Sequence, residues 1–125
     1  MRYMVLVKMP EDVGSPPPEL MQAMGTALRE AFENGSMIDA GGLSPTAEST
    51  EIRLAGGEIT TTDGPYAEAK EVAGGYSIIE VRSEEEAVAN ARRVLEIHRD
   101  CWPGWEGSVE VRRIAGAEEA SPGRS

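Results

Sequence analysis

Residues 75–81 read GYSIIEV, and apolar side chains fall on both faces of the β-strand that this stretch predicts. Successive strand residues point to opposite faces, so Ile78 lies on one face and Ile79 on the other. A strand of this kind is covered on both sides. Residues 3–8, YMVLVK, repeat the pattern. The sequence therefore predicts two strands at the centre of one sheet.

Two helices alternate with the strands. The first is predicted over residues 19–34, where apolar residues recur at helical spacing and prolines suit the first turn. The second begins at Ser83, whose spacing from Glu86 predicts a capping box, and runs to about Arg99. The remaining strands are predicted at residues 36–43, 50–54, 58–62 and 108–114.

This order of elements predicts an α+β fold, a ferredoxin-like split βαβ unit with an inserted β-hairpin. Gly56 and Gly57 supply the tight turn of the hairpin. We expect a single domain over residues 1–115, and the small, polar composition of residues 116–125 predicts a disordered tail. Two helices cover only one face of such a sheet. A homodimer that packs sheet against sheet, or a ligand cavity, would cover the other face.

Composition narrows the possible partners. The 125 residues include 22 acidic and 12 basic side chains, a formal charge of -10, which disfavours nucleic acid and anionic membranes. The first apolar run is too short for a signal peptide or a membrane span, so the cytoplasm is the expected compartment. With one cysteine, one histidine and no phosphate or dinucleotide motif, the sequence predicts neither a metal site nor a cofactor.

The run DGPYAEAKEVAGGY at residues 63–76 resembles the signature of the DGPF-domain proteins of the YCII-related family, with Tyr66 and Tyr76 in place of two phenylalanines. The opening RYMVLV and the late GSVEVRRI are similar to the first and last strands of that family. The resemblance implies a bacterial protein that forms a dimeric α+β barrel of ferredoxin-like subunits. It also implies kinship with small enzymes that use an Asp and a His, and with proteins encoded beside or fused to sigma factors.

Asp63 and His98 are the candidate catalytic residues. Asp63 ends a predicted strand and begins a turn; alternatively it only fixes that turn, because Asp before Gly-Pro commonly bonds backbone amides. His98 is the only histidine, and thus the natural general acid or base near neutrality. Its alternative role is a half-buried or capping residue near a helix end. Proton transfer by this pair requires the second helix to end near the turn.

Four further residues are candidates for ligand binding, namely Tyr66, Glu68, Lys70 and Trp102. In an extended segment Tyr66, Glu68 and Lys70 share a face. Trp102 belongs to a loop with two tryptophans that precedes the last strand. For the aromatic residues the alternative is hydrophobic packing, and for the charged residues it is a solvated surface or a contact across the dimer.

Two functional hypotheses follow from these residues. The first is a dimeric small-molecule-binding domain, with an accessory or regulatory role, that performs no bond chemistry. The second is a cofactor-independent lyase or isomerase that acts on a small polar or aromatic compound, with Asp63 or His98 moving a proton. Convergence of Asp63, Lys70 and His98 on one cavity would favour the enzyme.

Overall fold

The computed structural model of the protein describes residues 1–65 and 71–116. The predicted tail therefore lies outside the described residues except for residue 116. The helices and strands follow in the order β1 (Arg2–Met9), α1 (Pro18–Glu33), β2 (Met37–Gly42), β3 (Thr50–Ala55), β4 (Glu58–Asp63), β5 (Val72–Glu80), α2 (Glu84–Cys101) and β6 (Ser108–Arg113).

The main sheet has the strand order β2-β5-β1-β6, and all of its neighbouring strands are antiparallel. This arrangement confirms an α+β fold compatible with the ferredoxin-like topology. The two strands with apolar residues on both faces, β1 and β5, do occupy the centre. Tyr3 pairs with Ile79 and Val5 with Ser77, so alternate residues of both strands share a face. Strand β5 begins at Val72, three residues earlier than the apolar pattern indicates.

The core lies between the helices and one face of this sheet. Val5 and Ile79 are its most completely buried large side chains. They form a cluster with Tyr3 beside them and with Ala87 and Ala91 from α2. The small alanines let α2 approach the sheet closely, which explains why this helix and not α1 contributes the buried helical residues of the cluster.

The opposite face of the sheet carries the other alternating set of residues. Met4 and Leu6 on β1 lie beside Tyr76 and Ile78 on β5, and all four are half-buried. The Tyr76 hydroxyl donates to the Asp39 carboxylate at 3.2 Å. The negative charge of Asp39, and then this hydrogen bond, raise the pKa of Tyr76 above its ordinary value. We call this surface the open face.

The start of α2 confirms half of the predicted capping box. The Ser83 hydroxyl accepts a hydrogen bond from the Glu86 backbone N–H at 3.2 Å. Glu86 does not return the bond to Ser83; its carboxylate accepts from the Arg82 backbone N–H at 2.8 Å. The Arg82 guanidinium also pairs with the Glu86 carboxylate at 3.3 Å. This ion pair favours the bond of Glu86 to Arg82 over a bond to the next residue, Ser83. Neither helix of the described residues is long and apolar enough to cross a membrane.

Strands β3 and β4 form a separate two-stranded sheet, as the inserted hairpin predicts. Gly56 and Gly57 have φ of 58° and 81°, the positive values that a tight hairpin turn requires. One face of the hairpin carries Ile52, Leu54 and Ile59, which are 69%, 70% and 72% exposed. The hairpin thus presents an apolar surface that the described residues do not bury.

Candidate functional site

A cavity of about 620 Å³ lies between the two helices and the helix-facing side of the sheet. Its floor includes Val5 and Val7 of β1, and its walls include Leu28 of α1 and Ile97 of α2. Small-molecule sites in proteins usually occupy roughly 300–1,000 Å³ and are lined mainly by apolar side chains. The volume and the lining therefore suit a small organic ligand.

Methionines contribute much of this lining. Four of the six methionines of the chain, Met9, Met21, Met24 and Met37, line the cavity. Methionine has an unbranched, polarizable side chain that adapts to irregular shapes and makes favourable contacts with aromatic rings. The wall can therefore adjust to a ligand, in particular to an aromatic one.

His98 lines the same cavity and is only 5% exposed. Its Nδ1 atom lies 2.8 Å from the Val94 carbonyl oxygen. Because a carbonyl can only accept, Nδ1 carries the proton and donates it. In the neutral ring Nε2 is then unprotonated and can accept a hydrogen bond. The turn of helix that holds His98 thus fixes its tautomer.

Two tryptophans complete this part of the site. Trp102 lines the cavity, as its predicted role in ligand binding requires. The Trp105 ring lies 4.6 Å from the His98 ring and 6.3 Å from the Trp102 ring, measured between centroids. A side chain on Gly107 would overlap the Trp105 ring, so the glycine permits this packing. Trp105 therefore packs directly against the His98 ring.

Two buried polar atoms have no hydrogen-bond partner among the described residues, Asn90 Oδ1 and Trp105 Nε1. Asn90 also lines the cavity and lies two helical turns before His98 on α2. A buried acceptor without a donor costs about 1–3 kcal/mol. Asn90 therefore has an amide oxygen whose hydrogen-bonding capacity the described residues do not use.

Asp63 occupies a different position from His98. It is the last residue of β4, is exposed, and accepts from the Thr50 hydroxyl at 3.4 Å across the hairpin. Asp63 is not among the described residues that line the cavity. Within the single chain, His98 and Trp102 share this cavity and Asp63 does not, and the role of Asp63 in catalysis stays a prediction.

The turn after Asp63 packs against a neighbouring loop. The Gly64 N–H donates to the Ser49 carbonyl at 2.9 Å. A Cβ on Gly64 would overlap the Thr46 carbonyl, so only glycine fits here. The predicted ligand-binding residues that follow in the chain, Tyr66, Glu68 and Lys70, lie outside the described residues.

Loop residues that no local pattern indicates also belong to the site. The Glu11 carboxylate accepts from the Thr46 backbone N–H at 2.7 Å and from the Thr46 hydroxyl. The hydroxyl bond first, and then the backbone bond, hold the pKa of Glu11 below its usual range. Glu11 lines the cavity with its neighbour Pro10 and with Pro45, which precedes Thr46. Glu11 and Thr46 are 35 positions apart, so no local pattern predicts their pairing. Asn90, in contrast, could have been predicted from its helical spacing with His98.

The comparison with known sequences agrees with this arrangement of elements. The family model of the YCII-related domain matches residues 1–115. The chain belongs to the YCII-related family. An uncharacterised protein from Rhizobium meliloti (strain 1021) is 31% identical to this YCII-related chain over 96 residues, which is 77% of the chain and 73% of the relative.

In this YCII-related protein the cavity has the volume and the mainly apolar lining of small-molecule sites in proteins. His98, Asn90 and the exposed Arg93 place polar groups along one side of α2. The described residues contain no cluster of three or more His, Cys, Asp or Glu side chains placed to hold a metal ion.

Proposed function

We propose that this YCII-related protein binds a small, largely apolar organic molecule in the cavity between its helices and sheet, as an accessory or regulatory domain. The observation that carries the proposal is the cavity of about 620 Å³ that contains His98 and Trp102. The volume is that of an ordinary small-molecule site. The sequence analysis names both residues as candidates, His98 for proton transfer and Trp102 for ligand binding, without reference to a cavity.

The lining favours a ligand with an aromatic ring. Met24 and Met37 approach from α1 and β2, and Trp102 supplies an aromatic surface. Thioether–aromatic and aromatic–aromatic contacts each stabilise by up to about 1.5 kcal/mol. A hydroxyl or N–H group on the ligand would find an acceptor in Nε2 of His98. The favoured class is therefore an aromatic or aliphatic molecule with one polar end.

Binding without bond chemistry is the function that the described residues support best. The sequence also suggests a lyase or isomerase in which Asp63 or His98, or both, move a proton. Proton transfer by the pair needs both side chains at one cavity, and in the single chain only His98 lines this one. Nδ1 of His98 is occupied by the Val94 carbonyl, which leaves one ring nitrogen for a ligand.

The test is binding of a fluorescent aromatic probe, anilinonaphthalene sulfonate, followed by energy transfer from tryptophan. Ala27 lines the cavity from α1, so Ala27→Phe should fill it and weaken binding about tenfold or more. Ala89→Phe is the matched control, because it places the same ring on an exposed position of α2. Equal affinity in the two variants, or no binding to the unmodified protein, would refute the proposal.

We also propose that two copies associate through the open face. Met4, Leu6, Tyr76 and Ile78 form a contiguous half-buried apolar surface in the single chain. A second copy would bury the same surface on both subunits in a two-fold arrangement. This is the association that the dimeric α+β barrel expected from the sequence resemblance requires.

Light scattering on a size-exclusion column tests the association. We expect the mass of two chains for the unmodified protein and the mass of one chain for Leu6→Lys, because a lysine at the centre of an apolar interface is costly to bury. Val88→Lys adds the same charge at an exposed position of α2 and should leave the dimer intact. A single-chain mass for the unmodified protein at micromolar concentration contradicts the proposal.

A further inference from the structure

Two loops meet at one end of the cavity. Residues 10–17 connect β1 to α1, and residues 43–49 connect β2 to β3. Pro10 and Val13 of the first loop and Leu43 and Pro45 of the second line the cavity. Any separation of the two loops would therefore change the opening at this end.

Glu11 joins the loops. Its two carboxylate oxygens accept from the backbone N–H and from the hydroxyl of Thr46, so one side chain grips one residue twice. Both bonds involve an ionised acceptor and are therefore stronger than neutral hydrogen bonds. Glu11 is exposed, so water competes for the same donors when the loops part. The link is therefore strong while it is formed, but the free energy needed to break it is small because water replaces its bonds.

Hydrogen bonds and close packing restrain the loop that contains Thr46. The backbone N–H and the hydroxyl of Ser49 both donate to the Thr46 carbonyl, at 3.0 and 2.8 Å. Gly64 lies so close to the same carbonyl that a side chain there would overlap it. Thr46 is thus held by its own 3₁₀ turn, residues Thr46–Glu48, and by the turn that follows β4.

The loop on the Glu11 side has much less support. Its short 3₁₀ turn, Glu11–Val13, includes Asp12, whose backbone is not helical. Gly14 follows with φ of 83°, and apart from its two chain neighbours no described residue has an atom within 4 Å of the position its Cβ would take. Sparse packing and exposed backbone are the properties of segments that open locally at low cost. Of the two loops, residues 10–17 are the part that can swing.

We infer that the bond between Glu11 and Thr46 is a latch that controls exchange of ligand between the cavity and solvent. Residues 43–49, backed by Gly64, form the fixed side of the latch, and residues 10–17 form the moving side. The inference rests on the proposed binding function, since a latch has meaning only if the cavity takes a ligand. In this account the Asp-Gly-Pro turn, residues 63–65, takes part in ligand exchange by holding Thr46 in position.

Stopped-flow mixing with anilinonaphthalene sulfonate tests the latch. Glu11→Ala removes both bonds and should raise the association and dissociation rates together by about threefold to tenfold, because water replaces most of the energy of the two exposed bonds when the loops part. Thr46→Val keeps the backbone N–H and should give a smaller increase.

Asp12→Ala is the matched control, because it removes the same charge from the same exposed turn without touching Thr46. Its rates should equal those of the unmodified protein. If the probe binds and Glu11→Ala and Thr46→Val both keep the rates of Asp12→Ala, the latch is refuted while the binding function stands. If the unmodified protein does not bind the probe, the binding function fails and the latch fails with it. Thermal unfolding of each variant verifies that the fold is retained.

Discussion

Replacing His98 with alanine should destabilise the fold by about 1–3 kcal/mol, a sum of two contacts. The ring pair with Trp105 has a centroid distance of 4.6 Å, in the range where aromatic pairs add about 0.5–1.5 kcal/mol beyond burial. The Nδ1 hydrogen bond to the Val94 carbonyl adds about 0.5–1.5 kcal/mol. Removal of a ring that is 5% exposed also leaves a void next to the cavity.

A second substitution separates the two contributions. His98→Phe keeps a ring against Trp105 but cannot donate to Val94, so it should cost only the hydrogen bond, about 0.5–1.5 kcal/mol. Urea unfolding followed by tryptophan fluorescence measures both variants, because Trp102 and Trp105 report on this region directly. In a separate thermal unfolding measurement, the melting temperature should fall by about 3–5 °C for each kcal/mol of stability lost.

The refuting results are specific. If His98→Ala unfolds within about 0.5 kcal/mol of the unmodified protein, neither contact stabilises the fold. If His98→Phe is as destabilised as His98→Ala, the ring pair with Trp105 contributes nothing and the whole effect belongs to the hydrogen bond. Either result would remove the reason for treating Trp105 as the support of His98.

Two further predictions concern other parts of the chain. Gly25 lies inside α1 with no atom within 4 Å of the place that a Cβ would occupy, so Gly25→Ala should stabilise the protein by about 0.4–1 kcal/mol in the same urea assay. The N-terminal ammonium and then Arg2 bond the Glu80 carboxylate and hold its pKa below the ordinary value. A lowered pKa stabilises the fold above the unfolded-state pKa, about 4.3, and this contribution is lost as pH falls through the folded-state pKa. Glu80→Gln should therefore flatten the loss of stability in acid, and an unchanged pH profile would contradict this account.

The sheet could be predicted from the sequence because its signals are local. Residues 75–81 and 3–8 each place apolar side chains on both faces, and this pattern is typical of strands at the centre of a sheet. Gly56 and Gly57 specify the hairpin turn by their positive φ. Ser83 specifies the start of α2 through a bond to a residue three positions away. Each of these features depends on a few neighbouring residues.

The site could be predicted only in part because it is built by distant residues. His98 and Trp102 stand out by residue type, and they do line one cavity. Asp63 stands out by its place before Gly-Pro, but the fold turns that strand end towards Thr50. Glu11 bonds Thr46, which is 35 positions away in the sequence. This pairing depends on how the two loops pack together and not on the sequence pattern of either loop. The cavity itself is a property of packing, so no stretch of sequence specifies it.

The glycine of the Asp-Gly-Pro turn has a consequence for how relatives of this protein should be compared. Gly64 is required because a carbonyl group lies where its side chain would be, so the glycine lets two segments of backbone approach closely. A motif built around such a glycine identifies a shared fold, and proteins that share a fold can bind unrelated compounds. Searches for natural ligands should therefore sort homologues by the residues at the positions of Met24, His98 and Trp102. Sorting by the motif would group proteins by architecture and mix their chemistries.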